Sequence, residues 1–468
     1  MARIEKSLLI IGAGSAGRLL YSDIKDNYRS HHVIGFLDDR PARGRLPILG
    51  GINDCGAVIG RYAVDEIILA IPSAPGELVR RILLNNLNHR LPLRIVPRSQ
   101  RVIGRSDVRY EEIKDIGAED FLGRAFIRQE VDRLKRFYRS KTVFVTGGAG
   151  SIGSEIVEQL LDLDVKKVIV YDNSEYLTFL LEQRLKETNS LGRCELIIGN
   201  IVNSDKLEML FRTRQPDIIF HAAAYKHVHL MQDNIDEAVH NNVIGTKAVV
   251  DAAVSNRIKR FTMISTDKVV NPTSVMGATK KLGEYYIRSV KAPKTNFHIV
   301  RFGNVINSRG SVLPLFEQQI ELRNYVTVTH QKMMRFFMSI REAALLVIES
   351  SAGDDFDSTH VLNMGELINI YEVAQCLIRS KNLLPGQDIE IRIAGLRKGE
   401  KLVEELYTEE EGRSLNGRRG KRIMALRSDS PPADINEIID KLSTQIKAHD
   451  DKALRRTLKA LFPSLKLR

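Results

Sequence analysis

The sequence predicts an α/β protein made of two Rossmann-like units in series, and three observations carry that prediction. Two apolar strand-like runs, 7–11 and 141–145, each lead straight into a glycine-rich turn and then a helical pattern. In each unit the next strand-like run ends on an acid, Asp38 in the first and Asp172 in the second. Strand and helix patterns then keep alternating, as expected of a parallel sheet with helices on its faces. At 468 residues the chain is too long for one compact domain and fits two or three.

Composition narrows the class. Hydrophobic residues make up 43% and charged residues 27%, enough apolar material for a sizeable core and too ordinary a balance for extended disorder. Cys55, Cys194 and Cys376 lie far apart, with neither metal-ligand spacing nor a disulfide framework. No metal is expected, and a reducing, cytoplasmic setting is. No apolar run approaches the roughly 18 residues that span a bilayer, and the first strand begins too early for a signal peptide. The net charge of +12 comes from basic residues spread without interleaved aromatics, which speaks against nucleic acid. Two basic concentrations, 413–422 and 452–468, read first as a solvated loop and a solvated helix face. Their functional reading is attraction to an anionic sugar nucleotide or membrane surface.

The first unit, 1–116, opens with Gly12-Ala13-Gly14-Ser15-Ala16-Gly17 directly after a strand, followed by a helix over 17–25. Further strands are expected at 33–37 and 66–71. A GxGxxG in this setting either cradles a pyrophosphate on the helix N-terminus or only permits a tight turn, and both readings stand open. A charged helical linker, 117–140, leads to the second unit, 141–468. There Gly147, Gly150 and Gly153 fit GxxGxxG, the turn of short-chain dehydrogenases. It demands a sharp strand-to-helix turn, close backbone approach to phosphate and tight helix packing. Asp172, about 20 residues on, suits ribose hydroxyls and repels a 2′-phosphate, so NAD is expected over NADP. Strands at 195–198, 217–220, 260–264 and 297–300 complete a doubly wound sheet whose ligands belong at the carboxyl ends.

Those ends carry unusual polar clusters. One is His221-Ala222-Ala223-Ala224-Tyr225-Lys226-His227, with small residues where a cofactor would press on backbone. Another is Ser265-Thr266-Asp267-Lys268, ahead of a turn at 271–274 and a helix beginning at Val275. A short-chain dehydrogenase carries Ser or Thr and then Tyr-x-x-x-Lys, the last two on one helix face. Thr266 and Lys280 are in place, but the tyrosine position holds Met276, whose thioether cannot act as a base. Tyr285 and Tyr286 lie on the wrong side of Lys280. Asp267-Lys268 is either a replacement acid/base pair or an exposed turn pair, and spacing leaves that choice even.

These stretches resemble the CapD-like polysaccharide-biosynthesis family, sugar-nucleotide 4,6-dehydratases of the PglF and WbpM type. The resemblance runs over about 142–406 and rests on residues 146–155, 221–228, 241–246, 265–268, 276–280, 301–312 and 395–402. It implies an extended short-chain dehydrogenase/reductase domain with a small C-terminal substrate-binding lobe, behind an N-terminal nucleotide-binding-like domain. The implied reaction is a redox-neutral dehydration of UDP-N-acetylglucosamine: oxidation at C4, loss of water across C5 and C6, and return of hydrogen to C6, with NAD regenerated. Lys268 would be the C5 base, Asp267 the acid for the C6 hydroxyl, and Thr266 a hydrogen-bond partner of the 4-hydroxyl. Lys280 would hold the ribose, and Asp267 would take the C4-hydroxyl proton through water. Methionine at 276 matches the large members that retain the C5 configuration.

The resemblance further implies NAD contacts at Gly147, Gly150, Ser151, Ile152, Gly153, Asp172, Asn173, Asn200, Ile201, Ala222, Ala223, Ala224 and Lys280. UDP-sugar contacts would come from Lys226, His227, Asn304, Arg309, Ser311, Arg335, Arg397 and Glu400, where a guanidinium fork suits the diphosphate. Asn200 stands where relatives keep aspartate, His229 where they keep proline and Gln232 where they keep glutamate; the loop at 354–360 also departs. Large members carry four membrane helices ahead of the first unit, so a full-length parent tethered to the inner membrane is one expectation. A homo-oligomer is another. The competing readings are a UDP-sugar 4-epimerase and a non-catalytic nucleotide sensor.

Overall fold

The computed structural model describes residues 6–40, 46–97, 108–123, 131–354, 358–414 and 421–467. The chain divides into two compact units. The first joins residues 1–127 to two later segments, 311–333 and 368–395, and the second holds the rest. Those two segments fall inside the stretch that the sequence assigns to its second domain, 141–468. Part of the expected linker, 124–130, lies outside the described residues, as do 355–357 of the departing loop and 415–420 of the first basic concentration. Arg468, the last residue of the second concentration, lies outside them as well.

In the first unit, strands β1 (Lys6–Ile11), β2 (His31–Leu37), β3 (Ile48–Gly50), β4 (Glu66–Leu69), β5 (Leu93–Ile95) and β6 (Lys114–Asp115) form one sheet in the order β3-β2-β1-β4-β5-β6. All pairings are parallel except β5 with β6. Helix α1 (Ser15–Asn27) follows the glycine turn and buries Leu20 and Ile24 on the sheet. The segment 368–395 is fastened to this unit by the buried Arg379, which donates to the carbonyls of Asn86 at 2.9 Å and Leu91 at 2.6 Å. These carbonyls lie at and beyond the C-terminus of the helix Gly76–Asn85, where the helix dipole favours a cation.

The second unit is built on eight strands: β7 (Thr142–Thr146), β8 (Lys167–Asp172), β9 (Cys194–Ile198), β10 (Ile218–His221), β11 (Arg260–Thr266), β12 (Asn296–Phe302), β13 (Thr359–Leu362) and β14 (Ile423–Leu426). Their order is β14-β13-β12-β11-β10-β7-β8-β9, all parallel but for the antiparallel edge strand β14. Alternate residues of each strand enter different cores. Phe144, Ile169, Ile219, Phe261 and Ile299 pack on one face. Val143, Val145, Val168, Val170, Phe220 and Val300 pack on the other. Burial on both faces explains why these strands read as continuous apolar runs. The order reverses between β7 and β10, so the crevice at their carboxyl ends is the topological switch point. Two helices carry the site there, α2 (Ser151–Asp162) and α3 (Val275–Ser289).

Strand expectations hold to within a residue or two. The one with consequence is β11, which runs on through Thr266 rather than stopping at 264. The basic helix near the C-terminus, Asp451–Leu461, turns Leu454 and Leu458 into the core and exposes Lys452, Arg456 and Lys459, while Arg455 is half-buried.

Candidate active site

The glycine turn is set by contact. Gly147 has φ +63°, and a side chain there would press on the backbone of Ala223. A Cβ on Gly153 would lie 2.1 Å from the carbonyl oxygen of Gly147. Asp172 closes the turn from the next strand: Oδ2 accepts from the amide of Ala149 at 3.0 Å and Oδ1 from that of Ser174 at 2.9 Å. A carboxylate has about four lone-pair sites, so two remain for ribose hydroxyls. Arg309 lies over the same turn, its amide donating to Ser151 Oγ at 3.1 Å and its guanidinium to Ala149 O at 3.0 Å.

Four buried residues hold the strand end after β10. The His221 ring is fixed between the hydroxyls of Thr146 (2.8 Å) and Thr246 (3.0 Å). Desolvation, aided by the charge on Lys280, draws it down to about 3, so it stays neutral. Asn242 accepts from Tyr225 N at 2.8 Å and donates to Tyr225 O at 3.0 Å, which sets the path of residues 222–225. It sits on a π-helical turn, His240–Gly245, a distortion common at functional sites. Ile201 packs against Gly245 of that turn, Asn200 receives the Tyr171 hydroxyl on its carbonyl, and Asn173 is exposed.

The acid/base cluster is continuous. Thr266 Oγ1 donates to Asp267 Oδ1 at 2.8 Å, and Lys268 Nζ donates to the same oxygen at 2.9 Å and to Asn304 Oδ1 at 3.1 Å. Asp267 is buried, so the exposed-turn reading fails, and its Oδ2 has no hydrogen-bond partner among the described residues. That oxygen faces Gly303, where an added Cβ would lie 3.1 Å away. Burial opposes the Lys268 charge, but Asp267 and Glu404 outweigh it and hold Lys268 above the ordinary lysine range. Lys280 donates to Ile264 O at 2.8 Å, and burial brings it down to about 8 against the pull of Glu284. Met276 is buried in the apolar cluster of α3. Tyr285 donates to Asp429 at 2.5 Å and Tyr286 bonds Asp251; desolvation, and then those acids, push both phenols upward.

Other expected substrate residues are less alike. His227 packs on Gly310, beside His229, and the exposed Lys226 makes no hydrogen bond or ion pair among the described residues. Arg397 is exposed, its amide donating to Glu400 Oε2 at 3.3 Å. Ser311 belongs to the first compact unit and precedes the helix Val312–Leu322, its hydroxyl making no capping hydrogen bond. Arg335 is already engaged: it donates to the carbonyls of Met334, Lys401 and Leu402 at 2.8, 2.9 and 3.3 Å. Its Nε lies 3.6 Å from Glu404.

Several supporting residues escape sequence reasoning. Glu404 is one. A second is the pair Glu284 and Arg301, joined at 2.6 and 2.8 Å, with Ser265 Oγ on Glu284 at 2.7 Å and Glu411 on Arg301 at 2.8 Å. Gln232, marked in the sequence only as a departure from the family's glutamate, accepts from Val275 N at 2.6 Å and donates to Lys466 O at 2.8 Å. A glutamate there could accept but, when ionised, could not donate.

Residues 143–426 match the family described as polysaccharide biosynthesis protein. The chain belongs to the polysaccharide biosynthesis protein family. Among its relatives, the capsular polysaccharide biosynthesis protein CapD of Staphylococcus aureus is 36% identical over 418 residues, covering 87% of this chain and 69% of that one. A UDP-glucose 4-epimerase of Rickettsia rickettsii is 32% identical over 283 residues, covering 58% and 79%. Among solved structures, Pen from Bacillus thuringiensis aligns with a TM-score of 0.58 at 34% identity, over 62% of this chain and 90% of that chain. Fold and family thus agree on an extended short-chain dehydrogenase/reductase sheet.

A dinucleotide fits this family member's turn. The space beside Gly147 and Gly153 is one that side chains would fill, Asp172 keeps acceptors free, and the Lys280 amine lies at the end of β11. Among the described residues no cluster of ligands suits a metal ion, and no helix is long and apolar enough to cross a membrane.

Proposed function

We propose that this protein is an NAD-dependent UDP-N-acetylglucosamine 4,6-dehydratase that retains the configuration at C5. The observation that carries the reading is the hydrogen-bonded chain Thr266–Asp267–Lys268, centred on the buried Asp267, with a methionine that cannot relay a proton on the helix that follows. Bound NAD would supply a reversible hydride acceptor for C4. Thr266 passes the 4-hydroxyl proton to Asp267, along the hydrogen bond already present. The amine of Lys268 then removes the proton at C5, made acidic by the neighbouring ketone. Asp267 returns its proton to the C6 hydroxyl, which leaves as water. Lys268 gives its proton back to the same face of C5 as C6 receives hydrogen, so the D-configuration persists. Lys280 and Asp172 hold ribose hydroxyls, and Asn304, Arg309, Arg397 and Glu400 take the uridine diphosphate.

The second reading is a 4-epimerase, favoured by the Rickettsia relative. It needs only a base at C4, a task tyrosine performs in short-chain dehydrogenases and Met276 cannot. Incubation with UDP-N-acetylglucosamine in deuterated water decides. Loss of one water with deuterium at C5 is expected; a product of unchanged mass would sink the dehydratase.

A further inference from the structure

We propose that Glu404 is a positioning residue for the elimination, holding Lys268 in place and storing the ammonium proton while Lys268 acts as base. The inference rests on the dehydratase reading above and deepens it.

Proton counting requires such a group. In the structure Lys268 donates to Asp267 and Asn304, as an ammonium does. An ammonium cannot accept the C5 proton, and Asp267 is occupied with the proton of the 4-hydroxyl. One proton must therefore leave Lys268 and come back within each turnover. Glu404 is buried, and its Oε1 lies 3.8 Å from Lys268 Nζ. Contacts of this kind are often long before substrate binds and tighten in the complex.

The charged groups facing Glu404 are Lys268, from the turn Asp267–Val269, and Arg335, from the short strand Met334–Arg335. Those facing Lys268 are Asp267, Glu404 and the charge of Arg335. Arg335 is anchored on the carbonyls of Lys401 and Leu402, so it fixes the backbone just ahead of Glu404.

The balance closes. The ammonium proton moves from Lys268 to Glu404; Lys268 takes the C5 proton; Asp267 protonates the departing hydroxyl. Lys268 then returns its proton to C5, and Glu404 restores the ammonium. The cycle draws no net proton from solvent, and because the hydrogens on the Lys268 amine are equivalent and exchangeable, the one returned to C5 can carry solvent deuterium.

The experiment compares Glu404→Gln and Glu404→Asp with the native protein. The rate of C5 elimination, read by mass, is divided by the rate of C4 oxidation, read by nicotinamide absorbance, from pH 6 to 9. A ratio of two rates is indifferent to the fraction of variant that folds. The native ratio is expected to be flat. In Glu404→Gln it falls about tenfold or more at pH 7 and climbs with pH, because the proton must now leave to solvent. Glu404→Asp regains the flat profile. If both rates fall together in Glu404→Gln with the profile unchanged, Glu404 only packs and the inference fails. If the native protein removes no water, the dehydratase reading falls, and this inference with it.

Discussion

The two Rossmann units share one turn and differ in what stands around it. A Cβ on Gly17 would lie 1.9 Å from the Gly12 carbonyl, as one on Gly153 would lie 2.1 Å from that of Gly147. Asp38 accepts from Ala13 N at 2.8 Å, as Asp172 accepts from Ala149 N at 3.0 Å. Even the strand order around the first strand corresponds. The buried charges part company. In the first unit Glu66 begins β4, at the amino end of the sheet, and bonds Lys6, Arg94 and Tyr110. In the second, Asp267 and Lys268 sit immediately after β11, at the carboxyl end. Charge at the amino end can only hold strands together, whereas charge at the carboxyl end meets whatever binds the crevice. The shared turn is a condition of the fold, and the strand ends decide the chemistry.

That contrast can be broken most sharply at Lys268. Lys268→Ala should cut turnover about 10³-fold per folded molecule. Undiminished water loss in the mass of the product would remove the acid/base assignment altogether. Glu284→Gln tests charge that supports the site. Burial alone would raise the Glu284 carboxyl, but Arg301, with Lys281 and Arg288, overrides it and holds it down to about 2. A depressed acid stabilises the fold above its ordinary value of 4.5, and that contribution is lost as pH falls toward 2. The glutamine variant should cost about 3–5 kcal/mol near neutrality and less as acid is added, measured by urea melts across pH.

The turns themselves come next. Gly17→Ala and Gly153→Ala should each destabilise their own unit by about 1–3 kcal/mol, since each pushes a methyl into a carbonyl. Calorimetry with NAD should find affinity lost only in Gly153→Ala; loss in both would mean the first unit is not merely a scaffold. The smallest effect separates the two acids. Asp172→Ala should weaken NAD by about 1–2 kcal/mol and narrow the preference over NADP, while Asp38→Ala leaves both unchanged.

Much of this was legible in the residues. Gly147, Gly153 and Asp172 are tied to a neighbouring turn and strand, so their spacing alone reveals the task. The pairing of Asp267 with Lys268 was visible as adjacency, but only burial shows that it is no surface turn. Glu404 and Arg335 reach Lys268 from far along the chain, and no local pattern marks such contacts. Arg335 reads as a phosphate ligand by residue type, yet its donors already meet three carbonyls. The segments 311–333 and 368–395 join the first unit through side chains such as Arg379, invisible to a reading that runs in sequence order.

Gln232 has a consequence in time. Its amide accepts from the first residue of α3 and donates to the carbonyl of Lys466, 234 positions further along the chain, while Ser464 Oγ donates to Pro272 O at 2.8 Å. Closing so long a loop comes late in folding. A chain emerging from the ribosome would complete its glycine turn and β7–β9 long before α3 has its last restraint. Nascent chains halted near residue 450 should therefore retain dinucleotide but fail to eliminate water.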